Sequence, residues 1–436
     1  MNVRVGYFLS IVLALPTLMG EAQTQLVQPL TLRDAVTLVL SRNPALVESS
    51  HGIEASRARA EQARSPYRPS AAVEASYVYL APVSIFSLPN ESVKVYPADN
   101  YDAHVGVRQT IFDFAKTGSQ VDAADARTTL AEDSRLILQR DLAFATAQDF
   151  YAILFLRRSV DVQDEEIRTL LEHQDNAHKR YEGGTATQLD ELTTQVRVAG
   201  AQTGRINLVD QLRTQEIAFR ALADLPGTDT LALAGDFAPP SGVSDPDSLR
   251  TVALATRIEA KALRDMVTSA QLQQRAARLT DAPSLNASFA YGVKNGFIPN
   301  LDVWRGNFTL AVGLMYPILD GGRTSGMEEE AFATLQATEA KQRETDIAIS
   351  SDVARANAAV AAALEKIGVS ETNIRQAELA VKTARLRYDA GTVSNLDLLD
   401  AETDLSQAKL NHLQALYDGV MSNLQRRRAL GLSATE

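Results

Sequence analysis

Four stretches of the chain alternate apolar and polar residues one by one. In AVEASYVY (72–79), Val73, Ala75, Tyr77 and Tyr79 fall on one side, with Glu74 and Ser76 on the other. In AHVGVRQTI (103–111), Ala103, Val105, Val107 and Ile111 oppose His104, Arg108 and Thr110, with Gln109 interrupting. LNASFAY (285–291) repeats the pattern through Leu285, Ala287, Phe289 and Tyr291. NFTLAVGLMY (307–316) does so through Phe308, Leu310, Val312, Leu314 and Tyr316. Side chains alternate across a strand, so these runs predict four strands with one apolar and one polar face. Segments of about 8–11 residues are long enough to cross a bilayer when tilted.

A different period follows each strand pair. Ile153, Leu156, Val160, Gln163, Ile167, Leu170, Gln174, Ala177 and Tyr181 step by three and four. So do Val360, Ala363, Ile367, Ser370, Ile374, Ala377, Val381, Ala384 and Tyr388. This is the seam of a coiled coil. No proline occurs between Pro97 and Pro226, or from Ile318 onward. Residues 118–181 alone span roughly 95 Å as helix, a rod and not the core of a globule. Shorter helical stretches at 31–64 and 247–279 precede each strand pair. Leu396, Leu399, Leu410, Leu413, Tyr417, Val420 and Leu424 supply a return seam after the second rod.

The rods turn back at two closely related sentences, RYEGGTATQLDELTTQ (180–195) and RYDAGTVSNLDLLDAE (387–402). Gly184 and Gly391 fit helix termination in the left-handed conformation. Thr187 to Asp190 and Ser394 to Asp397 then read as capping boxes that open the next helix. The same offset relates Gly106 and Asp113 to Gly313 and Asp320, while Pro69 and Tyr77 match Pro283 and Tyr291. The chain is therefore a tandem duplication. Residues 1–22 are a signal peptide, 23–227 the first repeat (tip near 181–190), 228–245 a Pro/Gly/Asp-rich linker, and 246–436 the second repeat (tip near 388–397). Gly118 and Gly322 are expected to permit the change of direction from strand to rod.

Composition narrows the class. A formal charge of −11 disfavours a nucleic-acid partner. Arg4, the apolar run 5–18 and Gly20-Glu21-Ala22 have the form of a secretory signal, with cleavage expected after Ala22. There is no cysteine, which excludes disulfides and a lipobox anchor. No later run of 18 consecutive apolar residues occurs, so membrane entry would require a closed β-barrel. Four such strands cannot close on themselves, so several copies must pool them. The five histidines (His51, His104, His173, His178 and His412) show no zinc spacing, and those in predicted helices read as solvated positions. DFAKTGS (113–119) and DGGRTS (320–325) lack phosphate-loop spacing. No catalytic constellation, cofactor or metal site emerges. The Pro-interrupted segment 80–100 is expected to cap the outer mouth, and Asn90-Glu91-Ser92 matches a glycosylation pattern by chance.

The opening LTLRDAVTLVLSRNPAL (30–46), the paired strands and both RY-x-x-GT-x-x-x-LD-x-L tips resemble the TolC-like outer-membrane efflux family over nearly the whole mature chain. The resemblance implies an α+β membrane protein. A homotrimer would form a twelve-stranded outer-membrane β-barrel, four strands per chain, surrounded by outer-membrane lipid and continuous with a long periplasmic α-helical coiled-coil barrel. It also implies docking to a periplasmic adaptor and an inner-membrane transporter, at tips that include Gly184, Thr185, Gly391 and Thr392. Asp397 and Asp400 match the family's acidic constriction. Asp404 shares their face but reads as solvated. Tyr388 and Asp190 resemble the family's aperture latch. An arginine two positions after the tip glycine is replaced here by Val393. The function implied is a passive exit duct for small toxic molecules. Type I protein secretion is the alternative, and a soluble periplasmic coiled-coil scaffold a more distant one.

Overall fold

A computed structural model of the protein describes residues 29–435 apart from 90, 228–230 and 243–244. The signal peptide and the Asn90 pattern lie outside the described residues. Helices α1 (Leu32–Arg42) and α2 (Pro44–Arg64) lead into β1 (Ser70–Tyr79), and β4 (Asp99–Phe112) follows after a short hairpin, β2 (Ile85–Leu88) and β3 (Glu91–Lys94). The rod α3 (Lys116–Glu182) returns as α4 (Gln188–Leu222). The second repeat runs α5 (Pro246–Thr256), α6 (Ile258–Arg278), β5 (Ser284–Lys294), β6 (Arg305–Met315), α7 (Arg323–Asp389) and α8 (Asn395–Ala429).

Each repeat's leading helical stretch is broken in two. Asn43 ends α1 and caps α2, its Oδ1 accepting from the Ala45 N–H, with Pro44 at the first helical position. Arg257 breaks the second stretch, where no proline or glycine marks it. Its buried guanidinium meets Glu259 and Asp352.

The four long strands form one antiparallel sheet in the order β1-β4-β5-β6. The register keeps Val73, Val105, Tyr291 and Phe308 in one row, so the apolar sides coincide across both repeats. Leu310 and Leu314 remain 70% exposed on that side. The hairpin β2–β3 inside the segment 80–100 has no counterpart in the predicted elements.

Both rods have 67 residues, about 100 Å at 1.5 Å per residue. Part of α7 is apolar enough by composition to cross a membrane. However, the helix is roughly three times the thickness of a bilayer core, and it packs along α6 and α8. The outer helices stack in the order α2-α3-α6-α7 near the sheet and α4-α3-α8-α7 towards the tips. Phe144, Phe150, Ile153, Phe219 and Leu413 form the largest core cluster, midway along the rods. In the return seam Leu399 is buried as expected, whereas Leu396 stays exposed and Leu398 is buried in its place.

The strand-to-rod turn differs from expectation in the first repeat. Gly118 lies inside α3, with Tyr67 Oη 3.1 Å from where a Cβ would stand. The turn itself is made by Phe114 (φ 53°) and Ala115 (φ 66°). Their counterparts Gly321 and Gly322 adopt φ 69° and 86° without a Cβ. A left-handed non-glycine costs roughly 1–2 kcal/mol. Asp113 offsets part of this by accepting from the Thr117 N–H (2.8 Å), and Asp320 accepts likewise from that of Thr324 (2.7 Å).

Candidate functional site: the paired hairpin tips

The two tips are built alike. Gly184 and Gly391 both adopt φ 69°. The Thr185 N–H donates to the Arg180 carbonyl at 2.8 Å, and that of Thr392 to the Arg387 carbonyl at 2.9 Å. These bonds satisfy carbonyls left open at a helix end. The hydroxyls of Thr185 and Thr392 donate to the same carbonyls, at 3.1 and 3.0 Å. All four residues are exposed.

Asp190 and Asp397 complete the capping boxes. Asp190 Oδ2 accepts from the Thr187 N–H (2.9 Å) and Oγ1 (2.7 Å), and Asp397 Oδ2 from the Ser394 N–H (2.8 Å) and Oγ (2.7 Å). The hydroxyl and amide of Ser394 hold the exposed Asp397 carboxyl below the usual carboxylate range. Asp400, one turn further along α8, receives the Arg197 guanidinium from α4. Arg197 occupies the first-repeat position matching Asp404. The duplicated position therefore supplies a counter-charge to the acidic stripe.

The tips meet through residues that spacing did not single out. Asn395 opens α8 and is buried between the hairpins. Its Nδ2 donates to the Asp190 carbonyl (3.1 Å) and Thr194 Oγ1 (3.3 Å), and its Oδ1 lies 2.6 Å from His173 Nε2. With both amide protons directed to oxygens, Oδ1 is the acceptor and Nε2 carries the proton. His173 is 7% exposed, not the solvated helix position expected. Its ring also lies 5.4 Å from that of Tyr388, which the Arg180 guanidinium covers at 4.5 Å. Tyr388 is 9% exposed, whereas its first-repeat counterpart Tyr181 is 40% exposed.

No hydrogen bond joins Tyr388 to Asp190 among the described residues. Asp190 contributes its backbone carbonyl, and Tyr388 its ring face. Beside this clasp is a cleft of about 460 Å³ lined by His173, Arg180, Arg385, Tyr388 and Glu402. Glu402 is buried, with Arg385 2.8 Å from one carboxylate oxygen. The clasp occurs once per chain: Gln188, Ala380 and Ala401 stand where symmetry would place Asn395, His173 and Thr194.

Rods joined to a four-stranded sheet, with two capped hairpins at the far end, define an outer-membrane export channel subunit. The family model described as outer membrane efflux protein matches residues 35–224 and 249–432, and the chain belongs to that family. The outer membrane protein TolC of Vibrio cholerae is 24% identical over 333 residues, covering 71% of this chain and 72% of its own. The alkaline protease secretion protein AprF of Pseudomonas aeruginosa is 25% identical over 348 residues, covering 74% and 70%. The solved structure of the outer membrane protein VceC from Vibrio cholerae matches with a TM-score of 0.77 at 19% identity, covering 93% of this chain and 97% of that one. These matches place the protein in the outer membrane of a Gram-negative cell, with a large periplasmic portion. Such relatives are channels rather than enzymes.

Proposed function

We propose that three copies of the chain close into a continuous exit duct that passively conducts cargo delivered by an inner-membrane transporter and a periplasmic adaptor. The observation that carries this reading is the open sheet: β1 and β6 each have one edge with no paired strand among the described residues. An unpaired edge in hydrocarbon leaves backbone groups unsatisfied, so β6 must meet β1 of a neighbour. The helices support the same head-to-tail contact. Leu189, Leu192, Val196, Ile206 and Ile217 lie exposed on α4 at one flank, and Ile347, Val369, Leu379 and Leu386 on α7 at the other. The number three rests on the family resemblance. Sedimentation in mild detergent is expected to give a trimer, stable without covalent links. A detergent-independent monomer would sink the duct and favour a soluble scaffold.

Small toxic molecules are the proposed cargo. Protein secretion is the second reading, favoured by the similarity to AprF. Dye hypersensitivity of a deletion strain supports the first, and loss of a secreted protein the second. We assign the adaptor and transporter contact to the exposed turns at Gly184, Thr185, Gly391 and Thr392. Asp397 and Asp400 are proposed to line the narrow periplasmic end, with Arg197 tempering the second carboxylate.

The latch proposed at Tyr388 and Asp190 works here through the Asn395–His173 clasp. Removing Asn395 leaves the buried His173 N–H without its partner, while the Asp190 carbonyl keeps the Thr194 hydroxyl, a loss of about 1–3 kcal/mol. Asn395→Ala is expected to raise the open fraction about tenfold in single-channel recordings. Tyr388→Phe should change it little, because the Tyr388 hydroxyl makes no hydrogen bond among the described residues. Unchanged gating in Asn395→Ala would show that the clasp is not a latch.

A further inference from the structure

We propose that the strand-borne part of the duct carries its own charge filter: a cationic sleeve that favours anionic cargo, strengthened when His104 is protonated. The inference rests on the duct reading and concerns the barrel, far from the acidic tips.

The sheet register sorts its charges onto one side. Glu74, His104, Gly292 and Asn307 form one row across the four strands. Asp102, Lys294 and Arg305 fall in the adjacent row, and Arg108 lies on the same side of β4. With the apolar side in lipid, this polar side lines the lumen. Its carboxylates are already engaged. Glu74 is 3.0 Å from the Arg108 guanidinium and 3.5 Å from His104 Nε2, while Asp102 is 3.2 Å from His104 Nδ1. Lys294 and Arg305 have no ion pair among the described residues, and Lys294 instead lies 5.4 Å above the Phe297 ring.

The charged groups facing His104 are thus Glu74 from β1, Asp102 and Arg108 from β4, Lys294 from β5 and Arg305 from β6. Three cations stand against two carboxylates while the imidazole is neutral, and four when it is charged. A chain with a formal charge of −11 therefore presents a net positive lumen wall. Cargo bearing carboxylate, sulfate or phosphate groups would be concentrated there.

The test is the reversal potential of the purified protein in planar bilayers under a KCl gradient, at about pH 8 and about pH 5.5. The wild type is expected to raise its chloride-to-potassium permeability ratio at least about twofold on acidification. His104→Gln should lose most of that rise. Arg305→Gln, which keeps the imidazole, should lower the ratio at both pH values while retaining the rise. A wild type with no rise, a His104→Gln channel with the full rise, or an Arg305→Gln channel with unaltered selectivity overturns the filter and leaves the duct intact. A protein that assembles yet conducts nothing overturns both.

Discussion

Replacing Glu259 by glutamine is expected to lower the unfolding free energy by about 3 kcal/mol, the low end of the range for breaking a buried ion pair from one side. Glu259 lies between two guanidiniums, Arg140 from α3 and Arg257 from the break between α5 and α6. Both arginine side chains are 10% exposed, and without this carboxylate, among the described residues, Arg140 keeps only Asp141 and Arg257 only Asp352, each of which is 40% exposed. Burial alone would push the Glu259 carboxyl up, but hydrogen bonds from Arg257 and Arg140 outweigh it and leave the group at about 2. A depressed carboxyl stabilises the fold in full above its ordinary range near 4.5. That contribution, about 3 kcal/mol, fades as pH falls from there towards 2 and is absent below. Thermal melts of the helical signal should therefore fall steeply with acid in the wild type, and less so in Glu259→Gln. Parallel acid profiles would refute the assignment.

Gly292→Ala is expected to prevent stable closure of β4 on β5, with a cost of at least about 3 kcal/mol for overpacking. A Cβ at Gly292 would stand 2.1 Å from the Ala103 carbonyl oxygen and 2.4 Å from His104 Cα. Both are backbone positions, so no rotamer relieves them. A glycine inside a strand often marks close backbone approach, and here it lies where the two repeats join. The expected readout is loss of the heat-modifiable band on electrophoresis with the helical content preserved. A normal band would show that the strands have room to move apart.

The fold was largely legible because its pieces repeat. Alternation set the sides of all four strands, including the polar position of His104, and the tip sentences located both turns. The 31–64 break was also readable, since Asn43-Pro44 is a helix start signal. The Arg257 break was not, because a tertiary ion-pair cluster imposes it. Offset matching offered a further clue that glycine-seeking passed over. Gly321 and Gly322 point back to Phe114 and Ala115, where the same left-handed turn falls on exposed residues that resist it. The clasp escaped for a different reason. His173 and Asn395 are 222 residues apart, and neither repeats, so neither periodicity nor duplication connects them. His173 lies beside the seam that contains Leu170 and Ala177, and its burial depends on the other hairpin.

The single clasp has a consequence for anything that grips the rim. A rim assembled from three such chains, as proposed, would look sixfold from a distance but be chemically threefold. Moving along by one hairpin exchanges Asn395 for Gln188 and a shielded tyrosine for an open one; moving by two restores the starting surface. A helper that offered one identical foot to every hairpin would have to stand on it in two ways.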